Sequence, residues 1–480
     1  MKFLSEFSLL NIGNLICCLG LSVIAPFYPT YAEKFDVSGS LLGLIFAINP
    51  IGGILSSLIV GKILNKNNQT NLLSLGMLIQ SIGMFCYPFL TFTTNRTLFI
   101  IISLLGRFIS GFGAQTFVTP LYAIITQKYA DSINQKMAIT EFFSSFGYLC
   151  GPVIGSTLYS IGGFSFPFIV FGCFSVIIAI ILKLNFEKQE KRAINKVNES
   201  VISDIYDIDC SSKSLFIDEE NDVSIGYFDL IKYFPVSSSL FVILALCITF
   251  TFYYPTYAIF FEENFNIPPQ HVGFYMSAVS LAYSIGALTI SRISVNKSIA
   301  IFTGMVFVSI SQFFMGPDPI MNISPRILIT VIVKLINIYK LILFKRMKIQ
   351  FNYYNLSIQI NNSAQSIFGF FSAPPYIMAL PKITEELQNR FQKSDHDKCI
   401  IELNINCYNS LASGLFNAVI STGDFLGPVF SGVMAEFFSF QRSCSFLGLY
   451  LVATTLLFLP NLFISKKIKK VQIKSYKEYL

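Results

Sequence analysis

The sequence predicts an all-α membrane protein: twelve transmembrane helices in two six-helix, pseudo-symmetric halves. Three observations carry that prediction. The chain of 480 residues is 53% hydrophobic and only 13% charged, with a mean hydropathy of +0.61, whereas soluble domains carry about 25% charge. Apolar stretches of about eighteen residues or more recur from end to end, each long enough to cross a hydrocarbon core of about 30 Å as a helix. Lipid cannot satisfy backbone polar groups, so such stretches must be helical. Finally, one Gly/Pro pattern occurs once in each half.

The elements follow in order. The N-terminal half, 1–185, reads as spans 7–30, 40–64, 71–93, 97–127, 134–160 and 164–185. Lys2 and Glu6 run straight into the first apolar stretch with no small-residue cleavage site, so it is read as a membrane helix, not a leader. Residues 186–234 read as a cytosolic linker, acidic and Ser-rich in its middle (Asp204, Asp207, Asp209, Asp218, Glu219, Glu220, Asp222), for which disorder is the expectation. The C-terminal half, 235–464, reads as 236–262, 269–292, 298–316, a disturbed span within 325–381, then 409–435 and 441–464. Lys334, Lys340, Lys345, Arg346 and Lys348 interrupt the tenth span. We read 337–362 as an insertion that splits that helix into 325–336 and 366–381. A basic cytosolic tail, 465–480, closes the chain.

Loop charge orients the protein. Lys62, Lys66, Lys128, Lys136, Lys188, Lys191, Arg192, Arg292, Lys297 and the Lys466–Lys470 cluster fall on one side, and only Lys34, Arg96, Arg326 and Arg442 on the other. The positive-inside rule puts both termini and the linker in the cytosol. Fifty Phe and no Trp leave Tyr to anchor the interfaces. Most of the ten cysteines lie within apolar segments without metal-ligand spacing and read as small packing residues. No cofactor is implied. The absence of a metal cluster, nucleophile motif or phosphate loop points away from an enzyme.

The internal repeat carries chemistry. The fifth span holds Gly147, Gly151, Pro152 and Gly155; the eleventh holds Gly423, Gly427, Pro428 and Ser431. Both read G-x3-G-P with a small residue three positions later. Small residues let helices approach closely in lipid, and Pro removes an intrahelical bond and kinks the helix. A matched pair, one per half, suits a carrier whose halves rock about a central site; ordinary helix packing would also use such residues. We take Gly147, Gly151, Pro152, Gly155, Gly427 and Pro428 as the conformational hinge.

Three charged side chains stand out within the spans, away from their ends. Arg107 opens an R-x3-G-x-G pattern in the fourth span. Near the midplane an Arg costs about 2.5–3.5 kcal/mol on insertion scales, so it should face the interior and find a partner. Glu141 and Asp424 lie in the fifth and eleventh spans, two helical turns apart in repeat coordinates and so on nearly the same face. A carboxylate held there can alternate between a proton and a cationic ligand, the minimum equipment for proton–amine exchange. A structural ion pair, for instance of Glu141 with Arg107, is the competing account. Further polar or aromatic candidates are Asn11, Asn14, Asn49, Gln115, Tyr253, Tyr254, Tyr275, Tyr283 and Asn417; aromatic faces attract ammonium groups. His271 and His396 lie in loops.

At these residues the sequence resembles the major facilitator superfamily. Arg107–Gly113 looks like its fourth-helix motif and Gly147–Gly155 like its antiporter motif. Gly61-Lys62-Ile63-Leu64-Asn65-Lys66 is similar to its G-x3-D-[RK] loop motif, with Asn65 in place of Asp. Within the superfamily it resembles the vesicular amine transporters, closest to the polyamine branch, through Ala25–Pro29, Tyr129–Ser132, Glu141–Gly155, Gly162–Phe168, Glu263–Pro268, Met315–Pro317 and Ser413–Gly432.

The resemblance implies proton-coupled antiport of organic cations by alternating access, polyamines or related amines foremost, in a secretory or acidic vesicle membrane rather than the plasma membrane. Glu141 sits where the polyamine branch carries an acid. Asn14, Asn417 and Tyr254 stand at or near positions where monoamine carriers use acids, which counts against monoamine specificity. The expected substrate and proton site is Glu141, Asp424, Asn14, Tyr254 and Asn417, with Arg107 as the coupling residue. The expected partners are a small organic cation, protons and the bilayer, with no nucleic acid, and a monomeric chain. The alternatives are a carrier of the same fold for a neutral solute or drug, and a non-transporting sensor or a carrier inactivated by 337–362.

Overall fold

The computed structural model describes residues 5–24, 27–65, 68–204, 227–253, 260, 269–293, 295–315, 353–391 and 398–463. Twelve long helices occupy these residues. In the N-terminal half they are α1 (Glu6–Ser22), α2 (Gly39–Ile63), α3 (Gln69–Phe85), α4 (Arg96–Lys128), α5 (Ile133–Gly162) and α6 (Ser165–Asp204). In the C-terminal half they are α7 (Phe234–Phe252), α8 (Pro269–Arg292), α9 (Lys297–Met315), α10 (Tyr353–Phe391), α11 (Lys398–Phe437) and α12 (Phe440–Phe458). Among the described residues, eight helices meet a strict criterion of length and hydropathy for crossing a membrane.

Local chemistry starts several of them. Ser5, Ser38, Asn95 and Ser439 each accept a backbone N–H of the first turn with the side-chain oxygen, satisfying a donor that the helix leaves orphaned. The lipid-facing surface is apolar: Ile161 is 72% exposed and Val153 68%. Such exposure would be costly in water and is neutral in hydrocarbon. The interior collects the polar side chains, so this bundle is held by close packing and internal hydrogen bonds, not by a hydrophobic driving force between helices.

The halves meet where α2 packs on α11 and α5 on α8, with α4–α11 and α5–α10 contacts beside them. Within the halves α5 packs on α1 and α11 on α7. The start of α1 and the end of α4 are tied by the Lys128–Glu6 ion pair at 2.6 Å. The segment leading into α7 lies on this same side, which we call the linker face. There Lys297 pairs with Glu385 at 2.9 Å, and Lys382 pairs with Glu386 on α10.

Two boundaries differ from expectation. Helix α6 continues to Asp204, well into the segment expected to be a disordered linker. The run from Glu187 to Ser200 is rich in Glu and Lys, good helix formers despite their charge. Helix α10 begins at Tyr353, inside the expected insertion 337–362, and runs unbroken to Phe391. It is not interrupted before 366. The reason is visible at its start: Asn361 and Gln365 face the interior, with Asn361 donating to the Met315 carbonyl at 2.7 Å and Gln365 donating to Asn361 at 3.0 Å. Their polarity hides the helix from a hydropathy scan. The rest of the expected insertion, the 325–336 segment and the tail 465–480 lie outside the described residues.

Candidate functional site

The G-x3-G-P repeats are superposable devices. On α5, a Cβ on Gly147 would lie 2.7 Å from the Cys18 Cβ of α1, and one on Gly151 would collide with the Ser22 hydroxyl. On α11, a Cβ on Gly423 would collide with Cys247 of α7, and one on Gly427 with the Thr251 hydroxyl. Ser22 donates to the carbonyls of Cys18 (2.9 Å) and Gly147 (3.3 Å). Thr251 donates to those of Cys247 (2.9 Å) and Gly423 (3.4 Å). One hydroxyl thus stitches each pair of helices at a glycine notch. Gly155 continues the seam, packed on Val23. Pro152 and Pro428 lie inside α5 and α11, which remain helical through them.

Glu141 lies six residues before the first of these glycines on α5, buried to 3% exposure. The Tyr122 hydroxyl of α4 donates to its Oε1, and the Tyr283 hydroxyl of α8 donates to its Oε2 at 3.4 Å. Among the described residues, no Lys or Arg pairs with it. A row of rings stands around it. Tyr122 meets Phe416 edge-on with centroids 6.0 Å apart, Phe416 meets Tyr376 at 6.2 Å, and Tyr376 meets Tyr283 at 6.1 Å. Phe250 packs on the far side of Tyr283 at 5.8 Å. Four helices of the two halves (α4, α8, α10 and α11) therefore contribute to a chain of aromatic rings whose two end tyrosines hold one carboxylate on α5 by their hydroxyls.

The expected neighbours fall at different depths. Asn14 of α1 donates to the Thr140 carbonyl (3.2 Å) and the Ser144 hydroxyl (2.8 Å), holding α1 against the turn of α5 that bears Glu141. Asn417 stands to Gly423 as Glu141 stands to Gly147, so it is the repeat mate of the carboxylate. It donates to Thr119 of α4 at 3.4 Å, and its Oδ1 has no hydrogen-bond partner among the described residues. It is adjacent to Phe416 in sequence and so sits at the edge of the ring cluster. Asp424 lies two turns farther along α11, partly buried, and makes no ion pair or hydrogen bond with a described residue. Cys247 is within electrostatic reach of both Asp424 and Glu141. Tyr254 lies outside the described residues.

Arg107 is not part of this cluster. Its side chain is buried, 8% exposed, with Nη1 3.5 Å from the Leu21 carbonyl, Nε without a hydrogen-bond partner among the described residues and the guanidinium 5.2 Å from the Phe46 ring centroid. Arg107 does not pair with Glu141, against the competing account of a structural ion pair; it lies farther toward the opposite face, among Tyr28, Tyr87 and Tyr148. Sequence reasoning also missed Tyr122, Tyr376 and Phe416. Nothing in their own segments distinguishes them from packing residues; only the Tyr that follows Pro374-Pro375 interrupts a pattern at all.

Comparison with known proteins gives this geometry a family. The chain matches the Major Facilitator Superfamily model over residues 10–336. It is 24% identical over 443 residues to the MFS-type transporter SLC18B1 of Mus musculus, covering 91% of this chain and 81% of that one. It is 29% identical to the vesicular acetylcholine transporter of Rattus norvegicus over 165 residues, 34% of this chain and 28% of that one. Among solved structures it resembles the human organic anion transporter MFSD10 (TETRAN), with a TM-score of 0.59 and 12% identity over 94% of this chain and 98% of that one; at that identity the likeness concerns the fold. The twelve helices, the paired glycine seams and the matches together establish that this chain is a multi-pass membrane transporter, not an enzyme, and belongs to the Major Facilitator Superfamily.

Proposed function

We propose that the chain exchanges organic cations for protons by alternating access, with polyamines and related amines as the substrate class. The observation that carries this reading is Glu141. It is a buried carboxylate between the halves, without a cationic partner among the described residues, held by two tyrosine hydroxyls at the ends of an aromatic cluster. A buried charge requires compensation, and an ammonium group supplies it twice, by charge-assisted hydrogen bonds to the carboxylate and by cation–π attraction to the rings. In the unloaded carrier a proton can take the same place, so the two ligands compete for one group.

Asp424 serves as a second acidic subsite along α11, which suits a substrate with more than one amine. Asn14 and Asn417 position α5 and α11 around the site. Arg107, a buried cation without a carboxylate, responds to protonation through the packing of α1 and α4 and couples it to rocking. The positive-inside pattern supports both termini in the cytosol, and the names of the vesicular relatives support an acidic vesicle membrane; the carrier acts as a monomer. A neutral-solute carrier in which Glu141 and Arg107 form a structural pair is disfavoured by their separation. The test is proton release: with purified chain in proteoliposomes loaded with a pH dye and an acid interior, spermidine added outside should alkalinise the lumen. A neutral sugar alone producing that signal would refute the reading.

A further inference from the structure

On the linker face the two halves approach closely at a backbone notch. A Cβ on Gly414 of α11 would lie 2.7 Å from the Gly61 Cα of α2 and 2.7 Å from the Ser57 carbonyl. The contact leaves no room for a side chain on either glycine. One side chain from elsewhere fills the notch. Tyr227, in the short helix Tyr227–Ile231 that precedes α7, donates its hydroxyl to the Leu58 carbonyl of α2 at 2.6 Å. The same hydroxyl oxygen lies 2.5 Å from the position a Gly61 Cβ would take, and 3.0 Å from that of Gly414. The Lys62 ammonium lies 5.8 Å from the Tyr227 ring centroid, on the face of the ring.

We infer that Tyr227 is a latch that holds the linker-face gate shut. Its short helix packs on α7 and α11, so the residue belongs mechanically to the C-terminal half. Its hydrogen bond and its cation–π contact are both made to α2, in the N-terminal half. Opening this face separates α2 from α11 and must strip the phenol from Leu58 and Lys62. Those contacts exist only in the closed arrangement, so they bias the equilibrium toward it and toward opening on the opposite face. The hydroxyl, half-buried at the notch, is what a phenyl ring at this position would lack. Neighbouring contacts close the same face: Gln127 of α4 donates to Ser410 of α11 at 3.4 Å, and Gln69 donates to Gln127 at 2.6 Å. Tyr227 differs from these in coming from the connection between the halves.

The latch rests on alternating access but not on the substrate, and the test reads the gate without substrate. Ser413, fully buried beside Gly414, is changed to cysteine (S413C) in the full chain. The purified protein in proteoliposomes is exposed to a membrane-impermeant maleimide from the linker face, and labelling of the residue-413 peptide is followed by mass spectrometry. Tyr227→Phe removes only the hydrogen bond. A typical loss for one such bond shifts the gate equilibrium about fivefold, so labelling should quicken about fivefold, and Tyr227→Ala should label faster still. Labelling of both variants at the parent rate would overturn the latch. A wrong substrate class would leave the labelling result unchanged.

Discussion

Replacing Glu141 with Gln separates charge from shape at the proposed site. The amide keeps the length of the side chain, and its carbonyl can still accept from the Tyr122 hydroxyl while the amide N–H donates to the Tyr283 oxygen, so both phenol contacts persist. What is lost is the negative charge. A hydrogen bond to a charged group contributes about 1.5–3 kcal/mol and a neutral one about 0.5–1.5, so an ammonium ligand should lose about 1–2 kcal/mol, roughly 5- to 30-fold in affinity. The proton site disappears altogether. Because an uncompensated buried charge is costly, E141Q should melt no lower than the parent. The assay is spermidine binding and pH-gradient-driven uptake by the parent and E141Q in parallel, with thermal unfolding in the same detergent. Binding weakened within that range, gradient-driven accumulation abolished and an undiminished melting temperature are the expected outcome. Accumulation at the parent rate in a folded E141Q would refute the reasoning, because no other group within hydrogen-bonding reach of the rings carries charge among the described residues.

Three further outcomes follow from the same geometry. Phe416→Leu keeps the apolar bulk but removes the ring facing Tyr122 and Tyr376; a cation–π contact is worth about 0.5–2 kcal/mol, so KM for an amine should rise about 2- to 30-fold with little change in kcat. Gly427→Ala places a methyl against the Thr251 hydroxyl; overpacking of this kind costs about 1–3 kcal/mol, which should lower the melting temperature and slow transport, and Thr251→Ala in the same chain should recover part of both. Arg107→Gln removes a buried cation that lacks a carboxylate partner, so stability measured by thermal unfolding should hold or rise, while gradient-driven uptake falls.

The bundle was legible in the sequence because the bilayer imposes it: about eighteen apolar residues in a row have no other way to satisfy their backbone. The glycine seams were legible for a related reason, since G-x3-G-P at matching places in two halves marks where helices must touch. Glu141 was conspicuous as a carboxylate in an apolar run. Its surroundings were not. Tyr283 stood among the aromatic candidates, but Tyr122, Tyr376 and Phe416 come from three other helices, and each looks like any packing aromatic until the fold joins it to the ring cluster at the carboxylate. The separation of Arg107 from Glu141 was not legible because counting charges within spans carries no depth: the arginine lies about a third of the way along α4, the carboxylate early in α5, and the two helices run in opposite directions. The start of α10 was hidden by Asn361 and Gln365, whose polarity is spent on interior hydrogen bonds. The helical continuation of α6 was hidden by charge, which a membrane-oriented reading takes as the end of a span.

The account's central claim is that a proton and an organic cation are exchanged. Its most direct test is uptake of labelled spermidine into proteoliposomes containing the purified chain, with and without an acid interior. Accumulation that requires the gradient and collapses with a protonophore is the result the account predicts. Uptake that equilibrates to the same level regardless of the gradient, or no uptake of any amine by a folded chain, would contradict it.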